Sequence, residues 1–217
     1  MKLHGAIISP NVRKVIIACM VKGIDFESNM IIPGPVLKEP EFLKINPLGQ
    51  IPALEDGDLI IGDSNVILQY LEEKHPEPPL LPSSPEERAK CRWLAEYAGA
   101  ALFPCCGTMF REVLVNPSYF KQPTNQKAVD ETINEKFPPV LDYLEAQIPE
   151  NDFLFGDHIS IADISIVSMF ITASYGGFSV DANRWPNLAT YVERVRSHPV
   201  VAKCVEREKE MVKMITG

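Results

Sequence analysis

The period of the apolar positions changes after residue 8, and the change marks a strand followed by a helix. Residues 3–8 (LHGAII) form a short apolar run typical of a buried strand. Beyond Ser9, apolar side chains recur three and four positions apart over residues 12–20, which predicts an amphipathic helix with Ser9 at its N-cap and Gly23 at its end. A second strand is predicted over residues 25–31, so this stretch indicates a β-α-β unit with parallel strands.

The pattern continues with a short helix, a hairpin and a third helix. Residues 39–45 predict the short helix, and the runs 51–54 and 59–61 predict two strands that pair across the turn at residues 55–58. Ser64 is the predicted N-cap of the third helix, which runs to about residue 75. The order β-α-β-α-β-β-α indicates a mixed sheet covered by helices.

A proline-rich segment separates this part of the chain from a second one that shows helical periodicity only. Five prolines lie within residues 76–85, which excludes a helix or a central strand there. We therefore predict a domain at residues 1–76, a linker at 77–85 and an all-helical domain at 86–217, an α+β architecture overall. Pro104 is expected to kink the first helix of that domain. The predicted helices cover residues 86–115, 125–147, 160–175, 188–196 and 200–214.

Composition and charge narrow the functional classes. The 217-residue chain carries a formal net charge of −8, which argues against nucleic acid as a partner. Its five cysteines include no CxxC pair, so neither a disulfide framework nor a zinc site is indicated. We see neither a secretory signal nor an apolar run long enough to cross a bilayer. A cytoplasmic protein without membrane contact is expected.

Two features around the hairpin raise the question of a bound peptide. A proline inside a strand belongs at an edge or a bulge, and a cis Ile51–Pro52 bond would turn the backbone of Ile51 away from the sheet. An ordinary trans proline is the alternative, since cis bonds are about 5% of X-Pro bonds. The N-terminus of the third helix attracts a carboxylate, and Asp63 would accept an ammonium group. Ser64 is equally explained as a simple N-cap.

Two further residues have both a structural and a functional explanation. Ser9 is either only a helix cap or a hydroxyl that donates to a sulfur and favours thiolate over thiol. Lys38 is either a solvated loop lysine or a partner for a second carboxylate. Together the four features would suit an extended tripeptide with an amino-acid head, a central thiol and a carboxylate tail.

Three motifs carry a resemblance that covers nearly the whole chain: SPNVRKV after the first strand, NPLGQIPAL before the hairpin and GDSNVILQYLEEKHP at the third helix. With GDHISIADI in the helical part, the chain resembles the cytosolic glutathione transferase superfamily, most nearly its serine-type classes of bacterial and plant tau-like members. The resemblance implies a thioredoxin-like N-terminal domain, glutathione as co-substrate, no metal or prosthetic group, a homodimer and a role in detoxification. In GDHISIADI, Ser160 and Asp163 stand at the N-cap and N3 positions of a capping box, to which we assign no chemistry.

The resemblance also assigns roles to individual residues. Ser9 matches the catalytic serine that activates the glutathione thiol, and Asn11 would supply a second donor to the sulfur. The glutathione-binding positions that match the family's motifs are Lys38 and Gln50 for the glycine carboxylate, Ile51 before an expected cis-Pro52 for the cysteinyl backbone, and Asp63 with Ser64 for the γ-glutamyl end.

The electrophile is expected against the kinked helix, where Phe103, Cys106 and Phe110 lie on one face. These three residues either line an apolar acceptor pocket or belong to the core. The predicted reaction is transfer of glutathione to an apolar electrophile, or reduction of an organic peroxide. The alternatives are a glutathione-dependent isomerase or dehalogenase, a non-catalytic regulatory member of the same fold, and an unrelated α/β protein in which every feature is structural.

Overall fold

The computed structural model describes residues 1–216 and divides the chain into two compact units, Met1–Leu80 and the part from Leu81 onward. The boundary lies inside the predicted linker. The first unit combines a sheet with helices, and the second is helical. The prediction of a thioredoxin-like domain followed by a helical domain is confirmed.

The first unit is built on a four-stranded mixed sheet in the order β2-β1-β3-β4. Its strands are β1 (Lys2–His4), β2 (Glu27–Asn29), β3 (Ala53–Asp56) and β4 (Leu59–Gly62). β1 pairs parallel to β2 and antiparallel to β3, as a β-α-β unit followed by a hairpin requires. Both β1 and β2 are shorter than predicted. β1 ends at Gly5, whose φ of 144° takes the chain out of the strand.

Three α-helices accompany this sheet. They are α1 (Pro10–Lys22), α2 (Pro40–Ile45) and α3 (Ser64–Lys74). α1 ends as predicted at Gly23, in the left-handed conformation that glycine adopts most readily. Between β2 and α2 lies a turn of 3₁₀-helix at Pro35–Lys38, since Pro35 fixes a φ compatible with helix start. The first unit buries the apolar faces of β1, α1 and α3 in a common core.

The second unit contains five long helical segments whose positions match the predicted ones within a few residues. They are α4 (Pro85–Ser118), α5 (residues 126–145), α6 (Ile161–Tyr175), α7 (Pro186–Arg196) and α8 (Pro199–Thr216). α4 has a length and hydropathy that would also allow a membrane span, which the search for an uninterrupted apolar run missed. Its residues Leu94, Leu102 and Cys106 are fully or almost fully buried within the second unit, as in the core helix of a globular domain.

Wide π-helical turns interrupt α4 and α5 where prolines follow. They lie at Ala98–Leu102, Phe110–Val115 and Thr132–Lys136. In each case the residue before the proline donates its N–H to the carbonyl five positions back, as Phe103 does to Ala98. A proline lacks an N–H and its ring collides with the carbonyl four residues back. The wider turn relieves both problems, so the kink predicted at Pro104 takes the form of a π-turn before it.

The predicted capping box at the start of α6 is confirmed. Asp163 accepts hydrogen bonds from the N–H and hydroxyl of Ser160 at 2.8 and 2.6 Å, while the Ser160 hydroxyl accepts the N–H of Asp163. Its second carboxylate oxygen accepts from the Tyr191 hydroxyl at 2.7 Å and the Leu154 N–H at 3.0 Å. Burial raises the pKa of Asp163, although these hydrogen bonds oppose that effect. The carboxylate thus joins α6, α7 and the preceding loop.

Candidate functional site

Ser9 occupies the N-cap position of α1, but its hydroxyl does not cap the helix. Its φ and ψ of −67° and 126° are those of an N-cap, and its carbonyl accepts the N–H of Arg13 at 2.8 Å. In the described chain, however, its side chain accepts no capping hydrogen bond. The half-buried hydroxyl therefore lies at the positive end of a helix without performing the task that serine most often performs there.

Asp63, not Ser64, is the N-cap of α3. One oxygen of the Asp63 carboxylate accepts the N–H groups of Asn65 and Val66, at 2.8 and 3.1 Å. Asp63 has a φ of 68°, a left-handed value that costs a non-glycine residue about 1–3 kcal/mol. The prediction that Ser64 caps this helix is wrong: Ser64 is its first residue and is buried. The chain must turn sharply at Asp63 for the carboxylate to reach those amides.

Side-chain contacts join the first turns of α1 and α3. The hydroxyl of Ser64 donates to Oδ1 of Asn11 at 3.4 Å, and the ammonium group of Lys14 donates to Oδ1 of Asn65 at 2.9 Å. The N-termini of both helices are thereby held next to each other. Since each N-terminus carries a partial positive charge, this corner of the first unit favours bound anions.

The Ile51–Pro52 peptide bond is cis, which confirms the prediction made for it. The ladder of β3 begins at Ala53, so Ile51 lies just beyond the paired part of the strand. Gly5 packs against Ile51 so closely that a Cβ on it would lie 3.2 Å from Cβ of Ile51 and 2.5 Å from Cγ2 of Val12. The backbone before Pro52 is therefore adjacent to the turn that leads from β1 into α1.

Lys38 and Gln50 are both exposed. The backbone carbonyl of Gln50 accepts a hydrogen bond from the side chain of Asn46 at 2.7 Å, and Oδ1 of Asn46 accepts the N–H of Leu48 at 3.1 Å. Asn46 is buried, and it fixes the loop that leads to the cis bond. Sequence reasoning missed Asn46, although the Asn-Pro pair at its position is a recognisable turn signal.

The three proposed acceptor residues differ in how exposed they are. Phe103 is 37% exposed and Phe110 is half-buried against Tyr175, with ring centroids 6.4 Å apart. Cys106 has no accessible surface, so we correct the expectation that it lines a pocket. The three residues lie in or directly after the regular helical stretch Phe103–Met109, so their spacing places them on one side of α4 but does not distinguish buried from exposed positions. Burial raises the pKa of Cys105 and of Cys106, as expected of inert core thiols.

Comparison with known proteins places both units in one family. The sequence profile of the glutathione S-transferase N-terminal domain matches residues 3–79, and that of the C-terminal domain matches residues 109–208. Maleylacetoacetate isomerase of Pseudomonas aeruginosa is 31% identical over 92% of this chain and 92% of its own. Glutathione S-transferase 1 of Zea mays is 31% identical over 94% of each chain.

A similar solved structure is that of glutathione S-transferase-I bound with the ligand lactoylglutathione. It is 30% identical and superimposes with a TM-score of 0.82 over 94% of this chain and 98% of that one. The likeness extends over both units, so the alternative of an unrelated α/β protein is wrong. The chain belongs to the glutathione S-transferase family.

Proposed function

We propose that the protein is a glutathione transferase in which Ser9 holds the sulfur of glutathione as a thiolate. The observation that carries this proposal is the Ser9 hydroxyl, which lies at the N-terminus of α1 and makes no capping bond in the described chain. Lowering a thiol pKa of about 8.5 by two units requires roughly 2.7 kcal/mol. A charge-assisted hydrogen bond together with a helix N-terminus supplies a free energy of about that size.

The rest of the tripeptide would bind along the first unit. The backbone of Ile51 pairs with the cysteinyl part, and the first N–H of α3, that of Ser64, meets the γ-glutamyl carboxylate. Asp63 already uses one carboxylate oxygen as a helix cap, so its other oxygen receives the ammonium group. Lys38 and the side chain of Gln50, both exposed, hold the glycine carboxylate.

The reaction needs only the bound thiolate and a nearby electrophile. The thiol proton passes to solvent when the sulfur settles against Ser9. The thiolate then forms a carbon–sulfur bond, and the leaving group departs with the electron pair of the bond that breaks. Thiolate stabilisation and proximity account for the acceleration. With an organic hydroperoxide, two glutathione molecules would instead yield the disulfide, an alcohol and water.

An apolar electrophile suits the exposed part of α4. Phe103 retains exposed ring surface and Phe110 is half-buried next to Tyr175, so aromatic and aliphatic acceptors would find matching side chains there.

We also propose a homodimer, because Leu59, Ile60 and Val66 expose apolar surface on the first unit and two-fold dimers are common.

A glutathione-dependent isomerase is the second candidate. It is favoured by the 31% identity with the maleylacetoacetate isomerase of Pseudomonas aeruginosa. The same thiolate would add to a carbon–carbon double bond, allow rotation and leave again, so that glutathione is regenerated. Turnover of a cis-dienoic acid without consumption of glutathione would identify this activity.

Calorimetric titration of reduced glutathione near pH 7, in buffers of different ionisation enthalpy, tests the proposal. We expect binding with proton release in the wild type and loss of the proton release in Ser9→Ala. Binding without proton release in both proteins would refute the role of Ser9. Absence of binding would instead favour a non-catalytic regulatory member of the family.

Ser84 offers a matched control, because it also precedes a proline at a helix N-cap. Unlike Ser9, its hydroxyl does cap, accepting the N–H of Glu87 at 3.2 Å. Ser84→Ala should therefore lower the free energy of unfolding by about 1 kcal/mol and leave proton release unchanged. Ser9→Ala should leave the free energy of unfolding nearly unchanged and abolish the proton release. If both variants lower the free energy of unfolding equally, Ser9 is only a helix cap.

A further inference from the structure

Ser64 combines features that a simple peptide-binding serine does not need. Its side chain is only 6% exposed, and its hydroxyl donates to Oδ1 of Asn11 on the neighbouring helix. A hydroxyl has one proton, so while it donates to Asn11 it cannot also donate to a carboxylate of a ligand. The contact of Ser64 with a γ-glutamyl group is then made through its backbone N–H.

This hydrogen bond determines how the amide group of Asn11 is oriented. A primary amide has an accepting oxygen and a donating nitrogen. With Oδ1 accepting from Ser64, Nδ2 occupies the other branch of the planar amide and directs its N–H groups away from Ser64. Asn11 lies two residues after Ser9 in the first turn of α1, which makes its Nδ2 a candidate donor to a group bound beside Ser9.

We propose that Ser64 is a positioning residue for thiolate formation, holding the Asn11 amide so that its nitrogen donates to the sulfur beside Ser9. This inference rests on the proposed function, because it presumes glutathione in the first unit. It adds to that function a link between α3, which holds one end of the tripeptide, and α1, which holds the sulfur. The Lys14–Asn65 contact keeps the same two turns together.

Ser64→Ala should raise the thiol pKa of bound glutathione only moderately. The 3.4 Å separation is long for a hydroxyl donor, so Ser64 biases the amide rather than locking it. Loss of a hydrogen bond to the charged sulfur should raise the thiol pKa by about one to two units in Asn11→Ala. For Ser64→Ala we expect a rise of about half a unit, which lowers the ratio of thiolate to thiol roughly threefold.

The test is the pKa of glutathione bound to the full-length protein, measured from the ultraviolet absorbance of its thiolate. The variants are Ser64→Ala, Asn11→Ala and the double variant. We expect each single variant to raise the thiol pKa and the double variant to equal Asn11→Ala, because Ser64 acts only through Asn11. Ser64→Thr, which retains a hydroxyl, should restore the wild-type value.

Asp63→Asn distinguishes positioning from ordinary binding of the γ-glutamyl end. It should weaken glutathione affinity while the thiol pKa of the bound fraction stays at the wild-type value. The proposal is overturned if Ser64→Ala, like Asp63→Asn, weakens affinity without changing the thiol pKa. It is also overturned if the pKa shifts of Ser64→Ala and Asn11→Ala add up in the double variant. Absence of a wild-type thiolate signal would refute the proposed function itself. A normal thiolate signal insensitive to Ser64 would refute only this inference.

Discussion

A buried ion pair at the C-terminal end of α1 allows a quantitative prediction. The ammonium group of Lys22 contacts Glu72 at 2.7 Å and the carbonyl oxygens of His75 and Pro78 at 2.6 and 2.8 Å. The Glu72 carboxylate also accepts the N–H of Leu80, at 3.0 and 3.2 Å. The side chains of the pair are 0% and 8% exposed. This network fastens the last residues of the first unit to α1 and α3.

Lys22→Met keeps the apolar stem of the side chain and removes its ammonium group. Glu72 then loses its charged partner but keeps the Leu80 N–H, and two carbonyl groups lose a donor. Removal of one member of a buried pair costs about 3–5 kcal/mol, because the other charge stays uncompensated. We expect a value near the middle of that range, about 4 kcal/mol, since Leu80 still offsets part of the charge of Glu72.

The assay must report on the first unit, and tryptophan fluorescence does not. The two tryptophans, Trp93 and Trp185, both lie in the helical unit. Hydrogen exchange of peptides from α1 and α3 measures the free energy of opening where the change is made. A loss of about 4 kcal/mol corresponds to roughly a thousandfold faster exchange of the most protected amides, by 1.4 kcal/mol per factor of ten.

Two variants make the result decisive. Lys213→Met breaks an exposed pair with Glu210 and should leave exchange in the first unit unchanged. The double variant Lys22→Met with Glu72→Leu removes the uncompensated carboxylate and should regain part of the lost stability. If Lys22→Met leaves the exchange of α1 and α3 unaltered, the reasoning from burial and contact distances is refuted.

Two further predictions concern the fold. Gly5→Ala should destabilise the first unit by about 3 kcal/mol, because the new Cβ would lie 2.5 Å from Val12 at a φ of 144°. Hydrogen exchange measures this loss, and exchange rates equal to those of the wild type would contradict the prediction. Burial favours neutral Glu112, but hydrogen bonds from Asn125 and Arg111 outweigh it and lower its pKa. Its stabilisation is present above the unfolded pKa and lost as pH falls through the folded one. Urea unfolding should therefore show Glu112→Gln losing most stability near pH 7 and progressively less as the pH falls through the folded pKa of Glu112; a constant difference would contradict this.

The sequence predicted the elements that follow from periodicity and local chemistry. The change of period at Ser9, the hairpin and the capping box of Ser160 and Asp163 each depend on neighbouring residues, and the structure reproduces them. The cis bond before Pro52 was predicted from family resemblance combined with its context, since the local sequence alone favours trans.

What the sequence did not predict depends on backbone geometry or on distant contacts. Asp63 caps α3 only because it adopts a positive φ, which favours glycine and is rarely inferred for aspartate. Cys106 is fully buried while Phe103, three positions earlier, is exposed, because burial depends on what packs against each position of α4 and not on spacing alone. The Ser64–Asn11 contact joins residues 53 positions apart, and no local pattern encodes it.

The candidate site consists of backbone groups and of side-chain groups, and this distinction bears on whether the protein is an enzyme or a regulatory binder of glutathione. In the proposed function, the Ile51 peptide and the first amide of α3 bind through backbone groups, so we expect glutathione binding to persist through many side-chain substitutions. Thiolate formation would instead depend on single groups, the Ser9 hydroxyl and the amide of Asn11. A variant that loses them would then still bind glutathione without activating it. On this proposal an enzyme and a regulatory binder differ by one or two polar atoms, and the ionisation state of bound glutathione distinguishes them, whereas affinity does not.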